Sequence, residues 1–87
     1  MTAHQFPVDQ LADEVANVRR FAESVDSLME KYRTDGLDGT AAYALLGSLH
    51  TALLAFVDAP ADPVVRAEAE RLGALFVDLA NESGAQV

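Results

Sequence analysis

Residues 8–32 read VDQLADEVANVRRFAESVDSLMEKY, and the spacing of apolar residues in this stretch decides the fold. Val8, Leu11, Val15, Val18, Ala22, Val25, Met29 and Tyr32 follow one another at alternating intervals of three and four. On an α-helix that rhythm draws a single apolar stripe along one side. The stripe predicts a long first helix that packs lengthwise against another helix. Phe21 and Leu28 flank it and widen it, which suits a globular bundle better than an isolated two-stranded coil. Pro7 fits a first helical turn, while Asp9, Asp13 and Glu14 complement the positive helix end. Lys31 and Arg33 complement the negative end, so the helix is expected over about 8–33, with Gly36 as a left-handed stop.

The next residues, Thr34 to Gly39, hold two Asp and two Gly, a strong turn signal of a length that suits an antiparallel connection. A second helix is expected over about 40–57, capped by Asp38 or Thr40. No charged residue occurs from Gly39 to Val57. One arc of this helix carries Tyr43, Leu45, Leu46, Leu49, Leu53, Leu54, Phe56 and Val57, and the opposite strip carries the small residues Ala41, Ala44, Ser48, Thr51, Ala52 and Ala55. A helix without a charged face is normally buried on most sides. A membrane span is the rival reading. Against it, the stretch is near the lower length limit, polar residues interrupt it, and Asp38 and Asp58 flank it in place of Lys or Arg.

After Asp58, the order Asp62-Pro63 gives an N-cap followed by proline at the first helical position. The third helix is expected over about 62–82, with Val65, Ala69, Leu72, Phe76 and Leu79 inward and Arg66, Glu70, Arg71, Asp78 and Glu82 outward. Arg66 and Glu70, four apart, are expected to pair weakly. Ser83-Gly84 is read as the helix end, leaving 1–6 and 84–87 loose. The fold class is therefore all-α: a single three-helix domain with a long first helix, expected to close as a homodimeric bundle.

Composition supports that closure. An 87-residue chain buries a low fraction of its surface, yet 51% of these residues are hydrophobic. The apolar excess favours burial against a second chain, and two-fold dimers are the commonest oligomers. Val15, Val18, Val25, Met29, Leu45, Leu49, Leu53 and Phe56 are the expected self-association residues. Fourteen acidic against six basic residues give a net charge of -8, which repels phosphate and argues against nucleic-acid binding and docking on anionic membranes. A basic protein partner fits the same charge. The chain holds no cysteine, so disulfides and thiolate metal sites are excluded and a reducing, cytoplasmic setting is expected. Met1 to Pro7 shows neither a basic nor an apolar signal-peptide region. Isoleucine is absent and Lys31 is the only lysine, a codon-bias pattern that points to a GC-rich bacterial genome.

Candidate chemistry is sparse. His50 lies in the large-residue arc beside Tyr43, Gly47 and Leu54, so these four are the candidate ligand-binding residues of a helical-bundle pocket. The plainer reading of His50 is a neutral imidazole bonded to a neighbour such as Tyr43. No Lys or Gly follows His50 within a turn, which removes the local pattern of a phosphotransfer histidine. Gly47 sits mid-helix, where Gly costs up to about 1 kcal/mol relative to Ala, so close packing of another helix is expected there. Glu23, Asp26 and Glu30 lie on successive turns, but no Glu-x-x-His motif accompanies them, and a solvated acidic face explains them without a metal. Phosphate loops, zinc motifs, EF-hand loops and nucleophile elbows are absent from the sequence, and no cofactor is expected.

Small size, absent cysteine, acidity and a helical-hairpin start are similar to actinobacterial proteins exported as helical-hairpin dimers. The Trp-x-Gly turn of that family is missing, since the chain has no tryptophan, and Gly36 stands four positions after Tyr32 in place of an acidic residue. The sequence therefore leads to a small acidic, non-enzymatic protein-interaction module, an adaptor, regulator or assembly factor that acts as a homo-oligomer. Its competitors are a ligand-binding bundle with a pocket near Tyr43, Gly47 and His50, and an acidic inhibitor that mimics nucleic acid.

Overall fold

In a computed structural model, residues 7–85 are described, with side chains described over 10–82. They form three helices: α1 (Pro7–Thr34), α2 (Ala41–Asp58) and α3 (Pro63–Ala85). The fold is an all-α three-helix bundle. Residues 1–6 and 86–87, at the expected loose ends, lie outside the described residues. The helix end expected at Ser83-Gly84 is corrected, because α3 runs on to Ala85. Glycine permits a helix stop without compelling one. The contrast is Gly36, whose φ of 76° occupies the left-handed region. There Leu37 N–H reaches back to Tyr32 O at 2.8 Å and Gly36 N–H to Arg33 O at 3.2 Å. This crossed pair closes the last turn of α1 as a Schellman motif.

The start signals act as their chemistry requires. Thr40, not Asp38, caps α2: its hydroxyl accepts from Tyr43 N at 3.2 Å and donates to Leu37 O at 2.7 Å. Asp62 caps α3, its Oδ1 accepting from Val64 N at 2.9 Å and Val65 N at 3.4 Å. Each cap satisfies amide donors that have no partner within the helix.

The core consists of Ala22 and Val25 of α1, Leu46, Leu49, Ala52, Leu53 and Phe56 of α2, and Ala69 and Leu72 of α3. Val15, Val18, Phe21, Met29, Tyr32 and Phe76 pack around it, so the heptad stripe from Val15 to Tyr32 turns inward within one chain. α2 is the central element. The α1 and α3 backbones stay more than 8 Å apart (Cα–Cα) throughout the described residues, while each packs on α2. Long side chains bridge the gap, with the Phe21 and Phe76 rings tilted at 59° and 6.0 Å between centroids. α2 is long and apolar enough to cross a membrane by length and composition. In this fold Leu46, Leu49, Leu53 and Phe56 of this helix belong to the core, with Leu46 and Leu49 almost fully covered.

Candidate interaction surface

The sequence gives α2 two unlike sides, and the bundle uses them differently. Leu46, Leu49, Leu53 and Phe56 face the core, whereas Leu54 is exposed. The small residues Ala41, Ala44, Ser48, Thr51 and Ala55 face outward, and Ala52 alone of that strip is buried. On α3, Val64 (76%), Leu75 (43%) and Val77 (53%) are exposed, and Val64 lies beside the strip. Between the two helices runs a groove of about 720 Å³, open along its length, with a floor and walls from Ala44, Gly47, Ser48, Thr51 and Ala55 of α2 and Val64, Glu68 and Leu72 of α3. Small side chains on one wall keep the groove wide. A leucine at Ser48 or Thr51 would narrow it.

The candidate ligand residues do not share this space. Gly47 lines the groove, whereas Tyr43, His50 and Leu54 lie on other parts of the α2 surface. The Tyr43 hydroxyl accepts from Arg33 Nη1 at 2.7 Å, and its ring lies 6.4 Å from that of Tyr32. His50 is half-buried, and among the described residues no hydrogen bond joins it to Tyr43. Leu54 is 49% exposed. Gly47 meets no close helix: a methyl group added there would find only Met29 Cε, at 3.8 Å.

The expected self-association residues lie inside one chain. Val25, Leu49, Leu53 and Phe56 belong to the core, and Val15, Val18, Met29 and Leu45 pack against it. The first four are covered within the chain, whereas Val15, Val18, Met29 and Leu45 are only half-buried and keep exposed surface. Sequence reasoning passed over Val64, Leu75 and Val77, the exposed large apolar residues of α3 among the described residues. The available signal was their position, one residue outside the inward face drawn by Val65, Leu72 and Phe76.

Charges on the rim are paired. Arg71 donates to both carboxylate oxygens of Glu68, Nε to Oε1 at 3.1 Å and Nη2 to Oε2 at 2.8 Å. The adjoining guanidinium holds the Glu68 carboxyl below its ordinary range, and the carboxylate raises Arg71 in turn. The expected Arg66–Glu70 pair is corrected, because Arg66 reaches across to Glu14 of α1. Helix α3 turns that position toward α1, where a fork of two parallel bonds replaces a single-stranded surface contact. Glu30 and Asp35 also sit in ion pairs, with Arg33 and Lys31. Glu14, Glu30, Asp35 and Glu68 thus each have a cationic neighbour. Among the described residues no group of three or more His, Asp or Glu converges as a metal site.

No protein-family model, curated protein or solved structure matches the chain.

Proposed function

We propose that the protein is a small, non-enzymatic protein-interaction module that works as a homo-oligomer, with the α2–α3 groove as its docking face for a helix. The observation that carries this reading is the groove itself. Its α2 wall is a strip of uncharged small residues that admits a helix backbone closely, and its α3 wall exposes Val64, with Leu75 exposed further along α3 outside the groove lining. Exposed apolar surface beside a concave, uncharged wall is the usual composition of a docking site. The acidic outer faces of α1 then remain for a basic protein partner, in keeping with the net charge of -8.

Site-specific photo-crosslinking in the encoding organism tests the reading. A photoreactive residue in place of Thr51 is expected to give discrete protein adducts, whereas one in place of Asp26, on the far side of α1, is not. Equal labelling from both positions, or none from Thr51, counts against a docking face at the groove.

A second reading, an apolar small molecule in the groove, draws on its volume, which lies in the range of ligand pockets. Native mass spectrometry of protein purified from its own cells distinguishes the two. A constant added mass below 1 kDa, lost on Thr51→Arg, favours the ligand; a bare chain mass removes it.

A further inference from the structure

The exposed stripe of α3 beside the groove has a symmetry of its own. Val64, Glu68, Arg71 and Leu75 follow at spacings of four, three and four, which puts all four on one side of the helix. All four are exposed: Val64 76% and Leu75 43%, with the Glu68 and Arg71 side chains at 49% and 60%. Read outward from the midpoint between Glu68 and Arg71, the pattern is charge then apolar in both directions, with opposite charges on the two sides. A two-fold axis through that midpoint, pairing α3 antiparallel with a second α3, sets Glu68 against Arg71 of the other copy twice. The same operation sets Val64 against Leu75 twice.

We infer that the occupant of the groove is a second copy of this chain, its α3 lying antiparallel along α3 in the two-fold register that faces Glu68 with Arg71 and Val64 with Leu75. This rests on the groove being the docking face. Charge selects the occupant. Two chains of net charge -8 repel at long range, so they meet only where the local surface is neutral. The groove satisfies this: no charged residue occurs from Gly39 to Val57, and the charged residue that lines the groove, Glu68 of α3, is paired with Arg71. In the free chain Glu68 and Arg71 pair with each other. In the dimer four alternating charges form a ring, so no desolvated charge is left alone. The small residues of α2 provide the room, because Ser48, Thr51 and Ala55 leave a channel beside α3 into which the partner helix fits.

Charge reversal and mixing test the register. The wild-type chain is expected to sediment as two chains and to dissociate on dilution. Glu68→Arg and Arg71→Glu, each alone, place like charges across the axis and are expected to weaken association by at least about tenfold, with helicity unchanged by circular dichroism. An equimolar mixture of the two variants is expected to return to two chains, because one contributes only cations to the ring and the other only anions. That recovery has no intrachain explanation, since each variant still lacks its own pair. The double variant Glu68→Arg/Arg71→Glu is expected to dimerise like wild type and guards against a folding defect in either single change. A wild-type chain that stays single at all concentrations overturns the inference. So does a dimer indifferent to both reversals, or a mixture that does not recover. The Thr51 crosslink separates this from the underlying reading: an adduct with a different protein overturns the second copy and keeps the docking face, whereas no adduct removes both.

Discussion

Arg66 and Glu14, separated by 52 residues in sequence, meet through two parallel hydrogen bonds, Nη1 to Oε1 at 3.2 Å and Nη2 to Oε2 at 2.9 Å. The same guanidinium donates to Pro60 O at 2.9 Å and lies over the Phe56 ring, 5.1 Å from its centroid. One side chain thus ties α1, α2, α3 and the connection between the last two. Glu14 holds Arg66 above its ordinary basicity, so the guanidinium stays charged at any accessible pH. A lysine reproduces the charge but neither the fork nor the stacking. Arg66→Lys is expected to lower the melting temperature clearly, and Arg71→Lys, at a pair confined to the surface of α3, hardly at all. Thermal unfolding of the two variants side by side checks this; equal losses would mean that the clasp is an ordinary surface pair.

Leu49 has no exposed surface in the folded chain and lies midway along α2. Leu49→Ala is expected to cost about 2–5 kcal/mol, the range for a buried leucine whose cavity closes only in part. Leu49→Asp leaves an unpaired charge in the core and is expected to abolish folding. Urea titration of the alanine variant measures the first; retained helicity in the aspartate variant would show that α2 is not the core helix.

Gly47 gives the opposite sign. Its added methyl group meets Met29 Cε at 3.8 Å, an ordinary contact, and the helical backbone there needs no glycine. Gly47→Ala is expected to stabilise the chain by about 0.5–1 kcal/mol through the higher helix propensity of alanine. A loss of stability in the same titration would mean that something approaches Gly47 more closely than Met29 does.

The Glu68–Arg71 pair brings a pH dependence. The neighbouring guanidinium lowers the Glu68 carboxyl in the folded chain. A group so lowered contributes stability that is fully present above its unfolded value and is lost as pH falls through the folded one. The stability difference between wild type and Glu68→Gln is therefore expected at neutral pH and to vanish below the usual carboxylate range. Salt is expected to shrink it, since both groups are largely exposed. Melting curves from pH 7 to pH 3 check the sign, and a difference that grows on acidification would contradict it.

Much of the fold was legible. Asp62-Pro63, Thr40 and Gly36 specify helix ends by local hydrogen bonding, and local bonding is what a sequence displays. The inward turn of Val25 and of Leu49 follows from apolar spacing alone. The surface was less legible. Val25, Leu49, Leu53 and Phe56 are buried within one chain, and spacing cannot say which chain covers a stripe. Arg66 was read with Glu70 because helical neighbours are visible in sequence, whereas Glu14 is a neighbour only once α1 folds back. The groove depends on where α3 settles against α2, and the expected ligand residues Tyr43, His50 and Leu54 fell on the far side of that packing.

Because α1 and α3 share no close backbone contact, the bundle amounts to two helical hairpins with α2 in common. Nearly every tertiary contact then joins segments adjacent in sequence, and little loop-closure entropy precedes the first favourable contacts. Folding is expected in the microsecond to millisecond range of low-contact-order helical domains. Either hairpin can serve as the starting nucleus, so substitutions in α2 are expected to slow folding, and substitutions in α1 or α3 chiefly to hasten unfolding.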